Sequence, residues 1–283
     1  MPPPANPFDR GPTEAREYDA WYDTPLGRAT LAAEQRCVAT LLDGAPHPWL
    51  DLGTGSGRFG GPLGADLGLD PAADLLRIAR RLPSVVRGVA EALPIRDASL
   101  GAVLTVAVLE FLPAPALALR EVARTLRPGG RLVVGFLPRE GAWARAYARQ
   151  GADPSSTFHG ARFLTTDELH TLAAGVGLAP AGLRATLFEP SGTTPSLRIE
   201  DHPHPDASFI ALALLKPRAE QSSERQRPER VQPTNEGEKG NPARATTPPR
   251  SASTPSAATT SLPPSTSSSA SSRPTTSASR WAP

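Results

Sequence analysis

The chain has 283 residues, 39% of them hydrophobic, which is enough for one sizeable core with chain to spare. Its net charge of +2 misleads, because the part from Pro217 onward carries nine basic and five acidic residues and leaves 21 against 23 for the rest. A near-neutral body lacks the clustered basic footprint of a nucleic-acid binder, so no nucleic-acid partner is expected.

The proline-rich opening, residues 1–14, reads as flexible, and Met1-Pro2-Pro3-Pro4 lacks the basic-then-apolar pattern of a secretory leader. Next, Tyr18, Trp21 and Tyr22 fall within five positions. They suit either a packed N-terminal segment or a lid that closes an apolar pocket against water. Residues 29–42 have helical apolar spacing, stopped by Gly44 and Pro46. Cys37 is the only cysteine, so no internal disulfide can form; a reducing, cytoplasmic setting is expected, with the thiol as a small apolar side chain.

Residues 49–59, Trp-Leu-Asp-Leu-Gly-Thr-Gly-Ser-Gly-Arg-Phe, read as a short strand entering a glycine-rich turn. Glycines at alternate positions remove β-carbons and let backbone press against a ligand. Thirteen residues after Gly57, Asp70 closes a second short strand, where a carboxylate can accept hydrogen bonds from ribose hydroxyls. The glycine spacing differs from the dinucleotide fingerprint, and no helix N-terminus is evident to receive a pyrophosphate.

A helix is expected over 72–82 and a third strand over 84–89. The apolar run 102–108 reads as a strand buried on both faces. The longer apolar stretch 100–119 contains Glu110, Pro113 and Pro115 and so is not a membrane span. A helix over 115–126, a turn at Pro128-Gly129-Gly130, a strand over 131–137 and a helix over 139–150 follow. Beyond a loose 151–160 segment, Thr166-Asp167-Glu168 opens a helix to Ala174, and 183–188 and 208–215 read as an antiparallel pair. The Pro/Ser/Thr-rich 217–283 cannot bury enough apolar surface to order itself and is expected to be disordered.

With the glycine turn, the stretches 88–94 (Gly-Val-Ala-Glu-Ala-Leu-Pro), 106–111 (Val-Ala-Val-Leu-Glu-Phe) and 126–132 (Leu-Arg-Pro-Gly-Gly-Arg-Leu) come in the order found in one enzyme family. The sequence resembles the class I S-adenosylmethionine-dependent methyltransferases, and most of all their compact bacterial and archaeal small-molecule members of the methyltransferase type 11 group. The resemblance covers roughly residues 15–216. It implies an α/β fold, a doubly wound, mostly parallel, seven-stranded Rossmann-like sheet. It also implies S-adenosylmethionine held by Asp51, Gly53, Thr54, Gly55, Asp70, Ala90, Glu91 and Val106, and a small-molecule acceptor. Substrate-side candidates are Tyr22, Tyr147, Phe158 and His159, and no metal is expected. Two positions depart from the family pattern: Val89 cannot accept the adenine amino group as an acid would, and Gly101 stands where relatives often place Asp. Two rival readings remain open, a non-catalytic cofactor-binding scaffold and a nicotinamide oxidoreductase.

Overall fold

The computed structural model describes residues 6–218, so the tail expectation for 219–283 and the first five residues lie outside the described part. Two helices come first, α1 (Pro12–Trp21) and α2 (Pro25–Leu42). Pro25 takes the first turn of α2, and the Thr24 hydroxyl caps it by accepting the Gly27 amide at 3.0 Å. Gly27 is fixed by packing, since a β-carbon there would lie 2.1 Å from the Trp21 carbonyl oxygen.

The sheet has seven strands in the order β3-β2-β1-β4-β5-β7-β6. They are β1 (Trp49–Leu52), β2 (Leu67–Asp70), β3 (Val85–Arg87), β4 (Leu100–Val106), β5 (Leu126–Phe136), β6 (Ala179–Thr186) and β7 (Phe209–Leu215). The first five run parallel; β7 inserts antiparallel between β5 and β6. This is the doubly wound α/β fold expected from the sequence. Alternation along β4 feeds two cores. Val103 packs with Leu119, Val122 and Leu169, whereas Ala102 and Leu104 pack with Val38, Leu41 and Trp143. The first core is covered by α5 (Pro115–Thr125) and α7 (Thr166–Ala174), the second by α2 and α6 (Ala142–Gln150).

Several boundaries differ from the sequence reading, each for a local reason. Residues 6–14 are not loose: α1 starts at Pro12, Phe8 packs edge-on against Tyr18 and Phe111, and Arg10 donates to the Ser155 and Ser156 carbonyls. The helix after β2, α4 (Ala73–Ile78), stops four residues early, with Ala79 leaving helical backbone at ψ 51°. An unexpected single turn, α3 (Gly60–Leu63), follows the glycine run. Pro128-Gly129-Gly130 does not separate helix from strand but forms an irregularity inside β5, with Gly129 at φ 81°. Helix α7 is capped by Thr165, whose hydroxyl accepts the Glu168 amide while the Glu168 carboxylate accepts the Thr165 amide.

Candidate functional site

The strand order reverses between β1 and β4, and the crevice at the carboxyl ends of those strands is where open α/β sheets bind ligands. The chain leaves β1 through three glycines in the left-handed region, Gly53 (φ 74°), Gly55 (54°) and Gly57 (79°). Gly53 has a second reason to be glycine: a β-carbon there would meet Val108 Cγ2 at 2.2 Å. The turn is pinned from both sides by acids. Asp51 Oδ2 accepts the Thr54 hydroxyl at 2.6 Å and the Gly60 amide at 3.0 Å. Asp70 Oδ2 accepts the Gly55 amide at 2.9 Å, and its Oδ1 accepts the Ala72 amide at 2.8 Å. Burial pushes the Asp51 carboxyl up to about 6 against the pull of those two bonds. Asp70 is raised by the same cause and opposed by its two amides.

Beside this turn lies a cavity of about 120 Å³. One wall is backbone-rich, from Gly53, Thr54, Ser56, Val106 and Ala107. Ala107 holds φ 51°, an uncommon conformation for a residue with a β-carbon, where β4 ends at the cavity. The opposite wall is aromatic: Tyr18, Trp21 and Tyr22 from the N-terminal segment, Trp143 and Tyr147 from α6, and Phe158. Tyr147 and Phe158 stack with ring centres 4.0 Å apart, and the Tyr18 and Tyr22 hydroxyls are 3.1 Å apart. Arg58, which closes the glycine turn, ties the two walls together. It donates to Asp19 Oδ1 at 2.6 Å and to Asp23 Oδ1 at 2.8 Å.

Among the candidates from the sequence, Gly53, Thr54, Val106, Tyr22 and Tyr147 meet at the cavity. Asp51, Gly55 and Asp70 stand directly behind its glycine wall. Ala90 is buried and Glu91 half-buried after β3, outside the cavity lining, and Glu91 Oε1 has no partner among the described residues. His159 is corrected: it is exposed, sits off the cavity and turns Nδ1 to the Gly151 carbonyl at 3.0 Å, because the 151–160 loop presents Thr157 and Phe158 inward instead. Glu110 is a buried acid that accepts the Leu137 amide at 3.1 Å, and burial raises its carboxyl to about 7. Cys37 is fully buried with its thiol raised to about 12, again by burial. Val89 is exposed. Gly101 cannot carry any side chain, since its β-carbon would lie 1.5 Å from the Pro46 carbonyl oxygen.

Sequence reasoning missed Glu34, Thr30, Arg58 and Thr157, all of which line the cavity. Glu34 had a readable signal, an acid on the face of α2 that otherwise carries Ala33, Cys37, Val38 and Leu41. Burial, reinforced by Glu110, pushes its carboxyl up to about 8. Among the described residues no cluster of His, Cys, Asp and Glu could hold a metal ion, and no helix is long and apolar enough to cross a membrane.

Comparison with known proteins agrees with this architecture. A family model described as a methyltransferase domain matches residues 50–134. An uncharacterized protein of Mycobacterium tuberculosis is 43% identical over 180 residues, and the match spans 63% of this chain and 63% of that relative. The chain thus accounts for less than two thirds of that relative's length. The crystal structure of a Thermotoga maritima S-adenosylmethionine-dependent methyltransferase, described as a possible histamine N-methyltransferase, is 30% identical with TM-score 0.67, covering 74% of this chain and 98% of that one. Magnesium protoporphyrin IX methyltransferase of Synechocystis, solved with S-adenosylhomocysteine bound, shares the fold at 16% identity and TM-score 0.52, covering 74% of this chain and 96% of its own. The chain belongs to the class I S-adenosylmethionine-dependent methyltransferases, and S-adenosylmethionine is its cofactor.

Proposed function

We propose that this chain catalyses methyl transfer from S-adenosylmethionine to a small molecule seated in the aromatic-walled cavity. The observation that carries the reading is the cavity itself, which joins the glycine turn at the strand ends to a closed aromatic wall. The residues present fit the cofactor. The glycine wall offers backbone without β-carbons, Ser56 Oγ is buried with no partner among the described residues, and Asp70 keeps free lone pairs beside its two amide bonds. In this reading Gly53, Thr54, Gly55 and Val106 hold the methionine end, Asp70 the ribose, and Ala90 and Glu91 the adenine. Asp51 acts through Thr54 and Gly60 to keep the turn in shape. The cofactor, when bound, supplies a methyl group already activated on a sulfonium.

What the chain adds is alignment and exclusion of water. Tyr22, Trp143, Tyr147 and Phe158 give the acceptor an apolar body-site, and the Arg58 clamp holds the N-terminal wall shut over it. The small cavity volume and neutral body support a small-molecule acceptor over a nucleic acid, and the buried free thiol fits a cytoplasmic setting. The test is S-adenosylhomocysteine production by the purified protein over a panel of amines, phenols and thiols. Turnover of at least one class, lost in the Asp70→Ala variant, supports the reading. Tight cofactor binding with no turnover across all classes overturns catalysis in favour of a binding protein.

A further inference from the structure

The cavity carries more unsatisfied polarity than aromatic walls explain. The hydroxyls of Thr30, Ser56 and Thr157 all line it, are buried, and have no hydrogen-bond partner among the described residues. Those residues are only 3%, 2% and 1% exposed. Glu34 lines the same cavity one helical turn after Thr30, and it has no hydrogen bond or ion pair among the described residues. It retains some accessible surface while protein groups surround it, as expected of a side chain facing an enclosed space. Buried polar groups in folded proteins almost always find partners, so three orphaned hydroxyls beside an unpartnered acid around one cavity mark the place of a ligand.

The chemistry of that ligand follows from the groups that meet it. An ionised carboxylate only accepts hydrogen bonds and is costly to bury without a cation. The lining has one basic side chain, Arg58, and it is already bound to Asp19 and Asp23. Facing Glu34 are the phenols of Tyr18, Tyr22 and Tyr147, the Cys37 thiol and a second acid, Glu110; none of these is a cation. Aromatic faces attract positive charge as well. A carboxylate placed against Glu34 would face two acids, Glu34 and Glu110, whereas a cationic nitrogen there would find a counter-charge and aromatic faces.

We propose that Glu34 is the anchoring anion for an amine methyl acceptor, with Thr30 and Thr157 completing the hydrogen bonds to its nitrogen. The proposal rests on the methyl-transfer reading and names its substrate class. An amine arrives mostly protonated and has no lone pair to offer. Binding of the ammonium stabilises the ionised form of Glu34, whose own proton leaves to water; one ammonium N–H proton then passes to a Glu34 Oε, and a neutral amine faces a neutral carboxylic acid. Burial and the nearby Glu110 hold the Glu34 acid at about 8, which makes it a far better proton acceptor than an ordinary carboxylate.

The test is calorimetric titration of full-length wild type and Glu34→Gln with primary amines from methylamine to 2-phenylethylamine, and with the matching alcohols and carboxylates. Each titration is run with and without S-adenosylhomocysteine. Wild type should bind its best amine at least tenfold more tightly than the matching alcohol and reject the carboxylate. Glu34→Gln should lose at least tenfold for the amine and keep cofactor affinity within twofold. If the variant fails to fold by circular dichroism, the wild-type ranking of amine over alcohol decides alone. No amine preference, or an amine affinity untouched in Glu34→Gln, overturns the proposal. A loss confined to the cofactor overturns it too, because Glu34 then serves the cofactor's own ammonium end. Amine binding without any cofactor binding would keep the amine site and overturn the methyl-transfer reading instead.

Discussion

The two walls of the cavity are built on opposite principles. The glycine wall works through backbone: its geometry is set by positive φ angles and by two acids, Asp51 and Asp70, that bond to amides. The aromatic wall works through side chains from α1 and the turn after it, from α6 and from the 151–160 loop, which are far apart in the chain. A backbone site constrains sequence tightly, because only glycine or one particular acid will do. A side-chain site constrains volume and polarity, and many sequences satisfy those. The cofactor end is therefore written as a motif, and the acceptor end only as a composition.

The contrast can be broken most severely at Asp70. Hydrogen bonds to a charged group are worth about 1.5–3 kcal/mol each, so Asp70→Ala should weaken S-adenosylmethionine by about 10- to 100-fold in a calorimetric titration. It also frees the Gly55 and Ala72 amides, so some stability is lost with the affinity. Unchanged cofactor affinity in a folded variant would make Asp70 a turn residue only.

A smaller effect is expected where the walls are tied together. The Arg58 side chain is 11% exposed and grips Asp19, itself 21% exposed, whereas Asp23 at 64% contributes little to the clamp. Arg58→Ala should cost about 1–2 kcal/mol and lower the melting temperature by a few degrees. Cofactor affinity should fall by about three- to tenfold as the N-terminal wall loosens. Equal affinity in the variant would show that α1 packs on the domain without covering the site.

The difference between the walls also accounts for what could be read from the sequence. The short segments 50–52 and 67–69 and the apolar run 102–106, each flanked by turn residues, read as strands, and the glycine spacing marks the site on them. Helix ends are less legible: α4 stops at Ile78, four residues short of where its apolar spacing runs out. His159 and Phe158 are neighbours in sequence with equal claims to the site, and only the stacking of Phe158 on Tyr147 selects between them. Glu34 carries only a weak signal in the sequence, an acid on an otherwise apolar face of α2. An acid on a helix reads as solvated until tertiary packing places aromatic rings around it.

The smallest expected effect is a pH dependence that separates Glu34 from the glycine wall. An acid whose folded-state value is raised binds its proton more tightly in the folded chain than in the unfolded one. Stability from such a group is highest on the acidic side and is lost as pH climbs from the unfolded value towards the folded one. Four acids share this sign: Asp51 at about 6, Glu110 at about 7, Glu34 at about 8, and Asp70, which burial also raises. Tyr18, Tyr22, Tyr147 and Cys37 are raised far enough to stay neutral throughout the window. Asp23, Glu121 and Glu168, lowered by partner arginines, add stability that is lost only at more acidic pH. The chain without ligand should therefore become less stable between about pH 5 and 8, and above pH 7 the remaining decline belongs mainly to Glu34. Denaturant midpoints of wild type and Glu34→Gln at pH 5, 6, 7 and 8 check this. The variant should flatten between pH 7 and 8 while wild type continues to fall. Parallel curves over that last interval would mean that Glu34 is ionised and solvated there, and that the aromatic wall does not enclose it.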